Sequence, residues 1–193
     1  MEEINHTTTC IKIVLFGPES TGKTALAKAL AEKYNTQWVP EFARDYLQKK
    51  YDEVGEICAI EDLTPIVEGQ NKLENDLLKQ AKKILFCDTN PLQTWVYAKV
   101  YYPNFEVSEI GKALKQKAFN CSYDLYLLTD IDVPWEEDVL RDKPHEREIM
   151  FEHFQKQLFD LNLPFHKISG NLEERLNLVE SIISSTFKIE KSA

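Results

Sequence analysis

Short apolar runs alternate with amphipathic stretches along most of this 193-residue chain. Five of the runs predict buried strands: Ile11–Phe16, Thr36–Val39, Ile84–Cys87, Leu125–Thr129 and Phe165–Ile168. Between them, apolar side chains recur at i, i+4 spacing, as at Leu73, Leu77 and Ala81 in a helix predicted to begin at Asp62. Strands that alternate with helices predict an α/β fold, in which a parallel five-stranded sheet carries helices on both faces.

A glycine-rich loop joins the first predicted strand to a helix-forming run. Residues 17–24 read Gly-Pro-Glu-Ser-Thr-Gly-Lys-Thr and match the P-loop pattern G-x-x-x-x-G-K-[ST]. Because strand, loop and helix occur in the order that this motif requires, the sequence predicts a P-loop NTPase fold. The predicted nucleotide-binding residues are Gly17, Glu19, Ser20, Thr21, Gly22, Lys23, Thr24 and Ala25.

The chemistry of this loop indicates a nucleoside triphosphate and Mg²⁺ as its ligands. Gly17 and Gly22 allow a sharp turn, so that backbone N–H groups can point at phosphate oxygens near a helix N-terminus. Lys23 supplies a positive charge for the β- and γ-phosphates, and the Thr24 hydroxyl is placed to coordinate Mg²⁺. ATP and GTP both stay open as donors.

Polar residues follow the second and third predicted strands, where ligands of parallel sheets bind. Glu41 can accept the proton of a substrate hydroxyl or help to position Mg²⁺, and Arg44 can hold the acceptor. Asp88 ends an apolar run, as a Walker B carboxylate does, and would reach Mg²⁺. A surface Glu–Arg pair and a plain helix cap are the structural alternatives for these residues.

The segment after the fourth predicted strand is rich in charge and predicts a lid. Arg141 and Arg147 lie near the start of a helix, and guanidinium groups stabilise the charge of a transferred phosphoryl group. Closure of a lid excludes water and protects the triphosphate from hydrolysis. A solvated charged loop is the alternative. Asp130, Asp132 and Asp138 could instead form a cation patch, although their spacing does not match an EF-hand loop.

Three further residues are predicted to contact the acceptor. Tyr46 and Trp95 belong to a set of aromatic residues near the predicted site, and such rings stack well on an aromatic substrate, particularly a cationic one. Gln70 can hydrogen-bond a base or an amide. Core or rim packing is the alternative for the aromatic residues, and a surface position is the alternative for Gln70. The full predicted acceptor set is Glu41, Arg44, Tyr46, Gln70, Asp88 and Trp95.

Composition and charge narrow the class of partner. The chain has 23 lysines and arginines against 32 aspartates and glutamates, a net charge of −9, and no densely basic stretch, which argues against nucleic acid. The apolar runs are too short to span a bilayer, and the first residues lack the pattern of a signal peptide. The four cysteines form no C-x-x-C pair and are expected to be reduced thiols, so we expect a cytoplasmic protein.

The chain reads as one domain, without linker, low-complexity tract or internal repeat. We expect a P-loop kinase domain over residues 10–187, with flexible termini at residues 1–9 and 188–193. The oligomeric state stays open, and a homo-oligomer is compatible with the sequence.

Comparison with other P-loop classes favours a small-molecule kinase. A GTPase needs an N-K-x-D stretch after a strand, but Asn71-Lys72-Leu73-Glu74 falls inside a predicted helix and ends in glutamate. ABC and AAA-type ATPases usually carry Asp-Glu at the end of the Walker B strand, where the glutamate activates water. Here Asp88 is followed by Thr89, which favours transfer to a small molecule over hydrolysis.

Four segments resemble the nicotinamide riboside kinase family, which forms the C-terminal domain of bacterial NadR-like NAD-biosynthesis proteins. They are residues 14–24, 38–44, 84–89 and 123–135, with Leu140-Arg141-Asp142 after the last. The resemblance extends over essentially the whole chain. It implies ATP-dependent phosphorylation of the 5′-hydroxyl of nicotinamide riboside, a small-molecule riboside, to give nicotinamide mononucleotide.

The resemblance also implies roles for individual residues. Lys23 and Thr24 would hold ATP and Mg²⁺. Glu41 and Asp88 would serve the hydroxyl and the metal, and either of them could be the base. Arg141 and Arg147 would belong to the lid.

Two other functions stay open at this point. One is phosphorylation of a different nucleoside or small alcohol, and the other is an ATP-dependent switch without kinase activity. The fuller members of the family also carry a DNA-binding region and an adenylyltransferase domain upstream, so repressor and dinucleotide-forming activities are not expected of this chain.

Overall fold

A single parallel sheet organises the protein, whose computed structural model describes residues 10–140 and 146–187. The five strands of the described residues have the order β2-β3-β1-β4-β5. They are β1 (Ile11–Phe16), β2 (Trp38–Val39), β3 (Ile84–Asp88), β4 (Leu125–Thr129) and β5 (Phe165–Ile168). The predicted parallel five-stranded sheet is confirmed. The predicted flexible termini and Arg141 lie outside the described residues.

Helices follow each strand and cover the sheet on both sides, as predicted. They are α1 (Lys23–Lys33), α2 (Phe42–Val54), α3 (Leu63–Leu78), α4 (Pro91–Tyr101), α5 (Glu109–Phe119), α6 (Arg147–Asp160) and α7 (Leu172–Phe187). None of the described helices combines the length and apolar character that a bilayer-spanning segment needs.

The core has two layers, because successive side chains of β1 point to opposite faces of the sheet. Ile13 and Leu15 pack with α1 and α7 on one face, whereas Val14 and Phe16 pack with α3, α4, α5 and α6 on the other. Each of these four side chains is fully buried, which stabilises the fold by roughly 1.5–3 kcal/mol per residue. Two filled layers hold the strand ends in place, and the loops at those ends form the site.

Candidate active site

The loops at the carboxyl ends of the strands surround one cavity of about 660 Å³. The P-loop, residues 17–24, forms one side of the cavity, and the segment after β2 forms another. Of the predicted site residues, the cavity is lined by Glu19, Ser20, Thr21, Gly22, Lys23, Thr24, Ala25, Glu41 and Arg44. The structure therefore brings the predicted nucleotide loop and the first two acceptor residues together.

The P-loop is held in a curved conformation by its own hydrogen bonds. Gly17 has φ +138° and lies so close to Thr129 that an added Cβ would meet its Oγ1 at 3.0 Å. The hydroxyls of Thr21 and Thr129 are hydrogen-bonded at 2.8 Å, and Thr21 Oγ1 lies 2.9 Å from the Pro18 carbonyl. These contacts tie the loop to the end of β4 and keep its backbone N–H groups available.

Lys23 lies at the start of α1 and folds back over the loop. Its Nζ donates to the Gly17 carbonyl at 3.0 Å and to the Pro18 carbonyl at 2.7 Å, and the residue is 7% exposed. A buried ammonium held by neutral carbonyls is positioned next to the loop that the motif assigns to phosphates. Phosphate oxygens entering the cavity would meet a charge that is already in place.

Asp88, at the end of β3, is buried beneath Thr24. Thr24 Oγ1 donates to Asp88 Oδ2 at 2.5 Å, whereas Asp88 Oδ1 is buried with no hydrogen-bond partner among the described residues. Burial raises the pKa of Asp88, while the charge of Lys23 and the Thr24 hydrogen bond act in the opposite direction. An unpaired carboxylate oxygen beside a hydroxyl matches the hard oxygen donors that Mg²⁺ prefers, so these residues fit the ion.

Glu41 and Arg44 lie at the start of α2 and line the same cavity as the P-loop. Glu41 is the N-cap residue and is half-buried. Arg44 forms an ion pair with Asp138, which lies in the segment after β4. The predicted lid segment is thereby linked to the acceptor side of the cavity.

Gln70 lies beside this segment rather than in the cavity, so the prediction of a direct acceptor contact is not supported. Its Oε1 accepts from the Phe42 N–H at 2.8 Å, and its Nε2 donates to the Pro40 carbonyl at 3.2 Å. The alternative of a surface glutamine is wrong, because Gln70 is buried. Its side chain clamps the backbone on both sides of Glu41.

Tyr46 and Trp95 also lie away from the cavity. The Tyr46 hydroxyl donates to Asp62 at 3.1 Å, because Tyr46 lies on the face of α2 that is turned towards the start of α3. Trp95 is 1% exposed and packs against Phe105 and Phe119. Neither residue lines the cavity, and each contacts other parts of the protein instead, so a stacking role towards the acceptor stays a prediction.

The α4 residues that do line the cavity are Gln93 and Tyr97, which flank Trp95 in sequence. Residues two apart on a helix point in different directions, so the side chain of Trp95 faces the core whereas those of Gln93 and Tyr97 face the cavity. Burial raises the pKa of Tyr97 well above its ordinary value, and the nearby carboxylates of Glu19 and Glu41 raise it further. The Tyr97 hydroxyl therefore stays neutral beside two acidic residues.

The segment after β4 folds onto the P-loop. Arg147 donates to the Val133 carbonyl at 3.1 Å and to the Ser20 carbonyl at 2.9 Å, and its guanidinium lies 5.7 Å from the centre of the Trp135 ring. The Glu136 N–H donates to Ser20 Oγ at 2.9 Å. These contacts place Arg147 at the edge of the phosphate loop. The other predicted lid arginine, Arg141, lies outside the described residues.

The aspartates that could have formed a cation patch have other partners. Asp130 pairs with Lys167 at 2.8 Å, and Asp132 forms an ion pair with Arg175. Within residues 10–140 and 146–187, no group of three or more histidine, cysteine, aspartate or glutamate side chains is arranged to hold a metal ion. The cation-patch interpretation is therefore not supported.

Comparison with known protein families shows which family the chain belongs to. Residues 12–175, most of its length, match the model of a family described as an AAA domain. The chain belongs to this AAA domain family. Among curated proteins, it is similar to the trifunctional NAD biosynthesis/regulator protein NadR of Escherichia coli K12, with 29% identity over 131 residues. The match covers 67% of this chain and 30% of the relative, and it confirms the predicted resemblance to NadR-like proteins.

Solved structures show the same fold. A crystal structure of NadR in complex with NR has a TM-score of 0.79 at 21% identity, over 96% of this chain and 52% of that one. A deoxyadenosine kinase from M. mycoides has a TM-score of 0.68 at 14% identity, over 91% of this chain and the whole of that one. At these identities the likeness establishes the fold, which is that of P-loop kinases.

Proposed function

We propose that this chain is a kinase that transfers the γ-phosphoryl group of ATP to the 5′-hydroxyl of nicotinamide riboside. One observation carries the proposal: the P-loop and the Glu41–Arg44 segment line the same cavity. A donor site and an acceptor site that share one cavity are what direct phosphoryl transfer to a small molecule requires. The similarity to NadR, and the fold shared with NadR bound to NR, support the choice of acceptor.

The donor half of the cavity would hold the triphosphate. The P-loop N–H groups and the N-terminus of α1 attract its oxygens, and Lys23 is already positioned beside them. Thr24 and Asp88 would hold Mg²⁺, which when bound neutralises charge on the β- and γ-phosphates. Arg147, together with Arg141, would complete the phosphate site from the lid and exclude water.

The positions of Asp88 and Glu41 favour different roles for these two carboxylates. Asp88 is buried beneath Thr24 and does not line the cavity, which favours it as the metal ligand. Glu41 is half-buried and lines the cavity, which favours it as the group that accepts the proton of the 5′-hydroxyl. Arg44 would hold the acceptor beside Glu41.

The part of the cavity beside Tyr97 favours a cationic acceptor, because Glu19 and Glu41 line it there, whereas Lys23 lines the phosphate side. The carboxylates of Glu19 and Glu41 lie close enough to the Tyr97 hydroxyl to raise its pKa. Nicotinamide riboside carries a positive charge on an aromatic ring, and such a ring is attracted both by carboxylates and by an aromatic face. An uncharged nucleoside lacks this attraction, although the fold shared with deoxyadenosine kinase keeps a deoxynucleoside as the second candidate acceptor.

We expect a panel of acceptors to rank nicotinamide riboside first. With ATP and Mg²⁺, its kcat/KM should exceed those of adenosine, deoxyadenosine and thymidine by about tenfold or more, the size expected for a cation–π contact and ion attraction together. Nicotinic acid riboside is the matched control, because it keeps the cationic ring but adds a carboxylate and should react more slowly. The proposal fails if no riboside is phosphorylated faster than ATP is hydrolysed in its absence.

Replacement of Gly69 by alanine should disturb the acceptor half from outside the cavity. A Cβ at Gly69 would overlap the ring of Phe42, the residue next to Glu41. Alanine normally stabilises a helix interior by about 1 kcal/mol relative to glycine, but here overpacking should cost about 1–3 kcal/mol. We also expect the KM for the riboside to rise more than the KM for ATP.

Chemical denaturation and steady-state kinetics check this expectation. Lys72→Ala, at an exposed position of the same helix, is the matched control and should leave both properties close to wild type. A Gly69→Ala protein with wild-type stability and an unchanged KM for the riboside would show that the Phe42 ring does not position Glu41.

A further inference from the structure

Arg175 is a buried arginine that belongs to none of the motifs identified from the sequence. It lies in the first turn of α7 and is only 2% exposed, yet it also borders the cavity. Burial of a guanidinium is costly unless its donors are all engaged, so its partners indicate what it does. Its position is fixed locally, because Asn171 and Glu174 form reciprocal side-chain to backbone hydrogen bonds at the start of α7.

The guanidinium of Arg175 joins three separate segments. One terminal nitrogen donates to the Thr21 carbonyl of the P-loop at 2.5 Å, and Nε donates to the Gly170 carbonyl after β5 at 2.8 Å. The second terminal nitrogen donates to the Asp130 carbonyl at 3.2 Å and pairs with the carboxylate of Asp132. Asp132 also accepts from the Gly170 N–H at 2.5 Å, which closes the network.

The contact with Thr21 sets the direction of a backbone N–H group. The peptide bond between Thr21 and Gly22 is trans, so its carbonyl and its N–H point in opposite directions. Because Arg175 holds the carbonyl on its own side, the Gly22 N–H is turned away from it. Gly22 has φ +77°, and a glycine at this position can readily adopt other conformations when nothing holds the neighbouring peptide.

We propose that Arg175 is a positioning residue that keeps the P-loop in its phosphate-binding conformation before the nucleotide arrives. Such preorganisation removes an ordering cost from binding and so lowers the nucleotide Kd. The planar fork of arginine spreads its N–H donors over three nitrogens and so reaches carbonyls of three separate segments, which the compact ammonium of a lysine cannot span. The inference rests on the proposed function only in that the P-loop binds the nucleotide, and it is independent of the acceptor.

Calorimetry with AMP-PNP and Mg²⁺, without acceptor, tests the inference on the full chain. We expect Arg175→Met to raise the nucleotide Kd about tenfold or more, as loss of one charge-assisted hydrogen bond would, with Arg175→Lys between this variant and wild type. In kinetic assays the KM for ATP should rise, while the KM for the acceptor stays within about twofold of wild type. Hydrogen exchange of residues 20–24 without nucleotide should become faster in Arg175→Met.

A matched control separates positioning from general stability. Lys33 of α1 pairs with Glu180 of α7 at 2.8 Å, so Lys33→Met removes a contact between the same two helices away from the P-loop. It should lower the melting temperature without raising the nucleotide Kd.

Two results would overturn the inference. One is an unchanged nucleotide Kd in folded Arg175→Met, or in Arg175→Lys if the methionine variant does not fold. The other is an equal rise in Kd for Lys33→Met. A wild-type protein that binds no nucleotide would overturn both this inference and the proposed function, whereas normal wild-type binding with unaffected Arg175 variants would overturn this inference alone.

Discussion

Lys23→Ala is expected to lower kcat by about 100- to 1,000-fold or more, the range found when a group that stabilises transition-state charge is removed. The Nζ of Lys23 is held by the Gly17 and Pro18 carbonyls at the edge of the cavity, so no reorganisation is needed when phosphate enters. Its hydrogen bonds are to neutral carbonyls, so the variant breaks no ion pair at hydrogen-bond distance, and Asp88, which loses a nearby positive charge, keeps its hydrogen bond from Thr24. We therefore expect the fold to persist while turnover is lost.

Steady-state kinetics and thermal unfolding of the same preparation measure both parts of this prediction. Lys79→Ala is the control, because Lys79 is exposed and pairs with Asp76 one helical turn away. Substantial turnover in a well-folded Lys23→Ala protein would remove Lys23 from the phosphate site.

Asp88→Asn is expected to lower kcat by a similar factor, through Mg²⁺ rather than through the nucleotide. Asparagine keeps the shape of the side chain and can still accept from Thr24, but it lacks the charge that attracts the ion. Burial raises the pKa of Asp88, which means that the ionised carboxylate is costly in the folded protein at neutral pH. The variant should therefore unfold at the same temperature as wild type or a higher one, although it is inactive.

Activity measured over a range of Mg²⁺ concentrations, together with thermal unfolding, tests this prediction. Asp124→Asn is the matched control, because the Asp124 carboxylate also accepts a hydrogen bond, from the Lys12 N–H, but lies just before β4, at the opposite end of the sheet. Asp124→Asn should keep the wild-type dependence on Mg²⁺. Wild-type rates for Asp88→Asn at every Mg²⁺ concentration would show that Asp88 is not part of the site.

The fold could be predicted because it depends on local patterns that repeat along the chain. Three strands, Ile11–Phe16, Leu125–Thr129 and Phe165–Ile168, have the bounds that their apolar runs predicted. The second strand is shorter than predicted and covers only Trp38–Val39. At Thr36 the side-chain hydroxyl, rather than a backbone N–H, donates to the Ile84 carbonyl at 2.6 Å. Similarly, α3 begins at Leu63 rather than at Asp62, because Asp62 accepts from the Ala59 N–H and ends a short 3₁₀ turn.

The P-loop could be located from sequence because all its residues are contiguous, and Glu41 and Asp88 because each follows a strand. Side-chain direction could not be predicted in the same way. The residues flanking Trp95 on α4 face the cavity, whereas Trp95 itself faces the core, and only the packing of α4 against α5 decides between these faces. Arg175 lies 154 residues from Thr21, and no local pattern connects two such positions.

The most direct test of the proposed function is to identify the product by ³¹P NMR. The wild-type protein would be incubated with nicotinamide riboside, ATP and Mg²⁺, and the spectrum followed over time. We expect ADP and a phosphomonoester coupled to the two 5′ protons of the ribose to appear in equal amounts, and neither to form in the Lys23→Ala sample. Release of inorganic phosphate without a phosphomonoester, or no consumption of ATP by folded protein, would contradict the proposal.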